Sequence, residues 1–154
     1  MRILPLFSVC ETMMIPARPL QQFSRLSSER RRLLLRALFV LTAVSAAVAL
    51  LPFRRAIRLG SLPLGRGRPA SPDEFAWAVE AAARRLPWRT MCIEKGLAVQ
   101  RMLRAAGVDA ALRYGARHLP GSGELKAHVW VMVGGKAVIG GEEAADFAPV
   151  ATYP

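Results

Sequence analysis

The hydrophobic pattern divides the chain into an N-terminal part with one long apolar run and a C-terminal part with shorter periodic segments. Residues 37–53 carry no charge, and arginines stand on both sides of them, at Arg36 and at Arg54. A helix of this length rises about 25 Å, slightly less than the ~30 Å hydrocarbon core of a bilayer. The pattern predicts a basic-flanked apolar helix over residues 29–58. Three placements stay open: a single membrane span, the membrane interface, or packing on the domain that follows.

Periodic structure is absent on either side of this helix. Residues 1–28 show no sustained pattern, so we expect an irregular N-terminal segment. Residues 59–70 are rich in Gly and Pro, which is typical of a linker. The remaining residues, 71–154, are predicted to form a separate folded domain.

Two helices are predicted at the start of this domain. The first covers residues 71–86, and Ser71 with Glu74 three positions later has the pattern of a capping box at its N-terminus. The second covers residues 90–106, where apolar residues recur at helical spacing and Gly107 follows as a C-terminal cap.

Strand patterns follow the helices. Residues 109–116 alternate between apolar and polar, residues 117–126 read as a loop, and residues 127–133 alternate again. Gly134-Gly135 is typical of a two-residue hairpin turn, which makes residues 136–139 the partner strand. Two helices followed by three strands predict an α+β domain with its helices on one face of a small antiparallel sheet.

The distribution of charge argues against a nucleic-acid-binding domain. The net charge of the chain is +11, but residues 1–70 contribute 12 Arg against Glu11 and Glu29, whereas residues 71–154 carry 10 basic and 9 acidic residues. A positive charge that brackets an apolar run suits an anionic membrane surface or an acidic partner better than DNA. We expect membrane association, if it occurs, to involve residues 33–53.

The two cysteines, Cys10 and Cys92, fit neither a disulfide framework nor a zinc pattern. We therefore expect reduced thiols in the cytoplasm, no metal site and no cofactor. Cys92 is the candidate for chemistry because it lies in the first turn of a predicted helix, where unpaired N–H groups and the helix dipole stabilise a thiolate. Arg89 and Lys95 are near in sequence and would act in the same direction.

A cysteine nucleophile needs a general base that is held in a fixed position, and His128 lies on a predicted strand. It shares a face with Trp130 and Met132, while Val129 and Val131 point to the other side. A helix N-terminus laid against this strand could bring the thiol and the imidazole together. Taken singly, however, each residue is more often a packed core or interface side chain than a catalytic one.

Several motifs around Cys92 and His128 support a functional role for the two residues. They are Trp88 followed by Thr90-Met91-Cys92 at a helix start, Leu103-Arg104 with Gly107 at its end, Leu112-Arg113-Tyr114-Gly115, and Ala127-His128-Val129-Trp130-Val131 before Gly134-Gly135. In this order they resemble the transglutaminase-like cysteine proteases of lasso-peptide biosynthesis, the leader-peptidase half of the B protein. The resemblance covers residue 71 to about residue 154, and the apolar helix before it also looks like the segment that precedes that domain.

The resemblance implies a transglutaminase- or papain-like fold and a cysteine peptidase that removes the leader from a ribosomally made precursor peptide. Cys92 would be the nucleophile and His128 its base. It further implies a separate leader-recognition protein and a cyclase as partners. The family commonly places an Asp about a dozen residues after the His, and this chain has Gly140-Gly141 there. Asp146 is the predicted substitute; Glu142, Glu143 or a backbone carbonyl are alternatives.

Two other functions stay open. The domain could keep this fold as a catalytically inactive, peptide-binding module, or the chain could be a membrane-associated adaptor that acts through its basic apolar helix.

Overall fold

The computed structural model describes residues 26–66, 71–121 and 123–154. The predictions for residues 1–25, including Cys10, and for residues 67–70 of the linker lie outside these ranges. The helices are α1 (Ser28–Leu50), α2 (Phe53–Ala56), α3 (Pro72–Ala83) and α4 (Cys92–Ala105), and the strands are β1 (Ala110–His118), β2 (Leu125–Val133), β3 (Lys136–Ile139) and β4 (Ala148–Tyr153). Short 3₁₀ turns cover Ile57–Leu59 and Ala144–Asp146.

Helix α1 is the predicted apolar helix, and one of its faces belongs to the core of the domain. Leu34, Ala37, Leu41 and Val44 follow helical spacing and are buried against α3 and α4. The helix ends at Leu50 because Pro52 cannot continue it. The length and composition of α1 would allow it to cross a membrane, but the core helix of a soluble protein can have the same length and composition.

Helix α3 is confirmed, but its N-terminus is capped by backbone only. Ser71 is the N-cap, and its carbonyl accepts a hydrogen bond from the Glu74 N–H at 2.9 Å, while its hydroxyl makes no cap bond. A capping interaction of the predicted kind occurs instead at α4, where the Glu94 carboxylate accepts the Met91 N–H. The local sequence therefore identified both helices and assigned the capping box to the wrong one.

The described part of the predicted linker is attached to the C-terminal end of α4. The Gly65 N–H donates to the Arg104 carbonyl at 2.7 Å, and Arg104 Nε donates to the Leu62 carbonyl at the same distance. These bonds hold the linker on the last turn of α4, where the Arg104 carbonyl also accepts the Gly107 N–H at 2.9 Å.

The sheet is antiparallel, with strand order β3-β2-β1-β4. Val129, Val131 and Leu112 point from its two central strands into the core beneath α4. Gly96 allows the close approach of that helix, because a methyl group there would lie 2.9 Å from a Val129 methyl carbon. The prediction of helices on one face of a small antiparallel sheet is confirmed.

The fourth strand, β4, was absent from the sequence interpretation, which ended with β3. This edge strand contains Pro149, which cannot donate a ladder hydrogen bond, and its sequence lacks a clear alternation. Its attachment depends on tertiary contacts: it pairs with β1, and the buried Gln100 amide of α4 donates to the Tyr153 carbonyl at 2.9 Å.

The chain between β3 and β4 crosses the sheet, because these two strands form its opposite edges. Residues 140–147, the crossing segment, pass over the face that lacks helices, and Phe147 packs there with its ring centroid 5.1 Å from that of His128. Trp130 lies on this face and is only 4% exposed. The crossing segment therefore gives the second face of the sheet a small core of its own.

Candidate active site

Cys92 is the first residue of α4, because the helix begins two residues later than the sequence suggested. The helix begins here because Met91 has an extended conformation and the Glu94 carboxylate, which is 7% exposed, holds its N–H. The first N–H groups of a helix have no partner four residues earlier in the chain. Cys92 thus lies where backbone donors are unpaired and the helix dipole is positive.

The side chain of Cys92 is half-buried and packs against the edge of the core. Within the described ranges, no hydrogen bond of its thiol is found. Lys95, one helical turn further on, was expected to add positive charge at the thiol. Its ammonium instead forms a 2.9 Å ion pair with Glu80 of α3, which offsets part of that charge.

The loop before Cys92 is anchored on the apolar helix. Trp88 Nε1 donates to the hydroxyl of Ser45, a buried residue of α1, at 3.4 Å. The hydroxyl of Ser45, a polar side chain within the apolar helix, is thus paired, and the loop that leads into α4 is attached to α1.

His128 occupies a defined position on β2. Its Nε2 atom lies 2.8 Å from the Gly140 carbonyl oxygen, and its ring is stacked on Trp130 at 19° with a centroid distance of 6.1 Å. Phe147 contacts it from the crossing segment. The prediction that His128 and Trp130 share a face is confirmed, and the ring is fixed by one hydrogen bond and two aromatic neighbours.

The helix that carries Cys92 covers the other face of this strand. Val129 contacts α4 at Gly96, so strand alternation turns His128 away from the middle of that helix. Among the described hydrogen bonds, none joins Cys92 to His128. The imidazole lies at the sheet margin instead, beyond the last pair of β2 and β3, Val131 with Ile139, where Gly140 continues the chain.

A cleft of about 910 Å³ opens at this margin. It lies between α3 and α4 on one side and β3 with the start of the crossing segment on the other, and His128 is part of its wall. The lining residues are Ala76, Glu80, Arg84, Lys95, His128, Lys136, Ala137, Val138, Ile139, Gly140, Gly141, Glu142 and Glu143. Cys92 is outside this lining, but Lys95 lies three residues after it on the same helix face. The first turn of α4 therefore borders the cleft that His128 enters.

The acidic residues after β3 are occupied elsewhere or exposed. Asp146 is 64% exposed, and its carboxylate lies 3.5 Å from Arg117. Glu143 lies 3.6 Å from Lys126, and Glu142 lines the cleft. The described hydrogen bonds join none of the three to the imidazole, whose partner is the Gly140 carbonyl. Sequence reasoning included a backbone carbonyl among its alternatives but had no means of identifying Gly140.

Sequence reasoning also missed the role of Glu94. The sequence signal for a capping box is Ser or Thr followed three residues later by Glu or Gln, and Met91 does not fit it. In the described part of the chain, no three His, Cys, Asp or Glu side chains form a group that could bind a metal ion.

Comparison with known proteins agrees with this architecture. A family profile described as the transglutaminase-like superfamily matches residues 37–152. That superfamily includes cysteine peptidases, and cysteine-type catalysis is common in it. Searches of curated proteins and of solved structures gave no match. Since the matched segment covers well over half of the 154 residues, the chain belongs to the transglutaminase-like superfamily.

Proposed function

We propose that this protein is a cysteine peptidase that removes the leader from a ribosomally made precursor peptide during lasso-peptide maturation. The observation that carries the proposal is the position of Cys92 as the first residue of α4 in a superfamily where cysteine-type catalysis is common. The fixed imidazole of His128 in the cleft beside that helix turn supports it.

The hydrogen bond of His128 supports Nδ1 as the ring nitrogen that would act as the base. A carbonyl oxygen only accepts, so the 2.8 Å contact with Gly140 requires the proton on Nε2. In the neutral ring the lone pair is then on Nδ1. We assign Nδ1 as the atom that receives the thiol proton of Cys92, with the Gly140 carbonyl orienting the ring in place of a carboxylate.

The start of α4 would stabilise both charges that the reaction forms. Unpaired N–H groups and the helix dipole favour the thiolate of Cys92. The Cys92 N–H is also the natural donor to the oxyanion of a tetrahedral intermediate, because no intrahelical carbonyl accepts it.

The reaction proceeds in two halves. The Cys92 thiolate attacks the carbonyl carbon at the leader–core junction, the C–N bond breaks, and His128 gives its Nδ1 proton to the departing amine of the core peptide. Water then attacks the thioester while Nδ1 takes one of its protons, and the leader leaves as a carboxylic acid. The enzyme returns to its starting state without a cofactor.

We further propose that Asp146 helps to hold the crossing segment in place on β1, because its carboxylate pairs with Arg117 of that strand. A separate leader-recognition protein would deliver the precursor, and a cyclase would use the released core peptide. We also propose that the reaction takes place in the cytoplasm, where a thiol stays reduced.

Incubation of the full chain with a precursor peptide and its recognition protein tests this function, with leader release measured by mass spectrometry. We expect Cys92→Ala to abolish release and His128→Gln to reduce it at least about 100-fold, the usual scale of general acid–base catalysis. Cys10→Ala is the matched control, since it removes the other thiol. Asp146→Asn should retain most activity if the Gly140 carbonyl orients the imidazole. Release that continues in Cys92→Ala would refute the assignment.

A second function has one specific observation in its favour. No described hydrogen bond joins Cys92 and His128, and the Nε2 atom of the imidazole is already paired with a carbonyl. A catalytically inactive, peptide-binding module would have these properties. In that case the wild-type protein binds the precursor without cleaving it, and Cys92→Ala binds with unchanged affinity.

A further inference from the structure

The outward face of α1 is apolar and has no partner among the described residues. Leu35, Phe39 and Leu50 are 55%, 76% and 81% exposed, and Ala43 and Ala46 lie between them at helical spacing. We call these five residues the outer stripe. They lie opposite the buried face of Leu34, Ala37, Leu41 and Val44. Helix α1 is therefore apolar on both sides, while the domain covers only one.

Positive charge brackets the outer stripe. Arg32 and Arg36 are exposed near its first residues, and Arg54, Arg55 and Arg58 follow its last one. Within the described ranges, no carboxylate lies within 4.0 Å of any of these five guanidinium groups. The sequence has no acidic residue from Arg30 to Pro72. The surface thus combines exposed apolar side chains with uncompensated cations at both ends.

We propose that the outer stripe lies on an anionic lipid bilayer, with α1 parallel to the membrane plane. Apolar side chains at the centre of such a helix enter the boundary between headgroups and acyl chains, and arginines at its ends reach the phosphates. The mean hydropathy of α1, 2.3 over its most apolar window, includes the buried face, so only the outer stripe is available to lipid. Cations at both ends match a uniformly anionic plane, which presents phosphates along the whole ~34 Å of the helix.

The buried face of α1 determines the orientation. Leu34, Ala37 and Leu41 have no exposed surface, because α3 and α4 cover them. A helix that spanned the bilayer would have to lose these contacts. A helix that lies flat keeps the core intact and buries only the stripe, so the proposed contact is peripheral and reversible by salt. The proposal is independent of peptidase activity.

Vesicle sedimentation with the full chain tests the proposal, using phosphatidylcholine vesicles with and without phosphatidylglycerol. We expect binding to the anionic vesicles, little binding to the neutral ones, and release at high salt. The double variant Phe39→Ser/Leu50→Ser should lower the partition coefficient at least about tenfold through lost apolar contact. Arg54→Gln/Arg55→Gln should lower it about fivefold for each arginine.

Matched controls separate the stripe from general surface properties. Leu125→Ser removes a leucine that is 66% exposed on β2, and Arg113→Gln removes an exposed arginine of β1; both should bind vesicles like the wild type. Equal binding to neutral and anionic vesicles, or equal losses in the controls, would overturn the proposal. Vesicle-bound protein that is released by detergent but not by salt would overturn the proposal and would indicate that α1 spans the membrane. Absence of vesicle binding, with dimers that the stripe variants dissociate, would assign the stripe to a second copy of the chain.

Discussion

Gly140 is the position where fold and proposed chemistry are most tightly linked. Its φ is +72°, in the left-handed region, and its carbonyl holds His128 Nε2. A methyl group at Gly140 would lie 2.5 Å from the Val129 carbonyl oxygen and 3.3 Å from Nε2. The change Gly140→Ala therefore introduces backbone strain and a steric conflict at the atoms that orient the imidazole.

The expected loss of stability has two parts. A residue other than glycine in the left-handed region costs about 1–2 kcal/mol. Overpacking against neighbours that cannot yield adds about 1–3 kcal/mol, and the Val129 carbonyl is backbone of β2, a strand that pairs with β1 at this residue. Gly140→Ala should thus lower the free energy of unfolding by roughly 2–5 kcal/mol.

Gly135→Ala provides the matched control. Gly135 has φ of +84°, and no atom lies within 4 Å of the position that its methyl group would take. This variant has the backbone strain without the conflict, so it should lose only about 1–2 kcal/mol. The gain from a stiffer unfolded chain is the same in both variants and cancels in the comparison.

Urea unfolding of the two variants, followed by circular dichroism, measures the difference. A gap of about 1–3 kcal/mol corresponds to midpoints separated by roughly 1 M, since m is about 1–3 kcal/mol/M for small proteins. Leader cleavage by the folded fraction should fall in Gly140→Ala and persist in Gly135→Ala. Coincident unfolding midpoints would refute the close packing of Gly140 against β2.

Two further predictions concern buried polar side chains of α4. Glu94→Ala removes the acceptor of the Met91 N–H and should lower the free energy of unfolding by about 1 kcal/mol, measured by thermal or urea unfolding. Glu94→Gln keeps an acceptor oxygen and should lose less stability. Equal losses in the two variants would show that the cap bond contributes nothing. Gln100→Leu leaves the carbonyls of Ala110 and Tyr153 without their donor and should cost about 1–3 kcal/mol. In that variant, hydrogen exchange should accelerate in β4 more than in β2, and uniform acceleration would contradict a clamp on the edge strand.

Local signals determined much of the fold from the sequence. The helix start at Pro72 and the Gly134-Gly135 turn each depend on residues within a few positions, and β3 begins and ends where the pattern predicted, at Lys136 and Ile139. Alternation along β2 also assigned the two faces of the strand correctly, because neighbouring side chains of a strand must point to opposite sides. Such rules need no knowledge of the rest of the chain.

Tertiary structure decided the features that depend on residues distant in sequence. Pairing with β1 and the Gln100 amide attach β4, whose own sequence carries little strand signal. The contact between His128 and the Gly140 carbonyl exists because β3 ends where it does and the chain then crosses the sheet. The apolar run of α1 was equally compatible with a lipid or a protein environment, since both bury apolar surface. Only its packing shows that one face lies in the core and that the other is exposed.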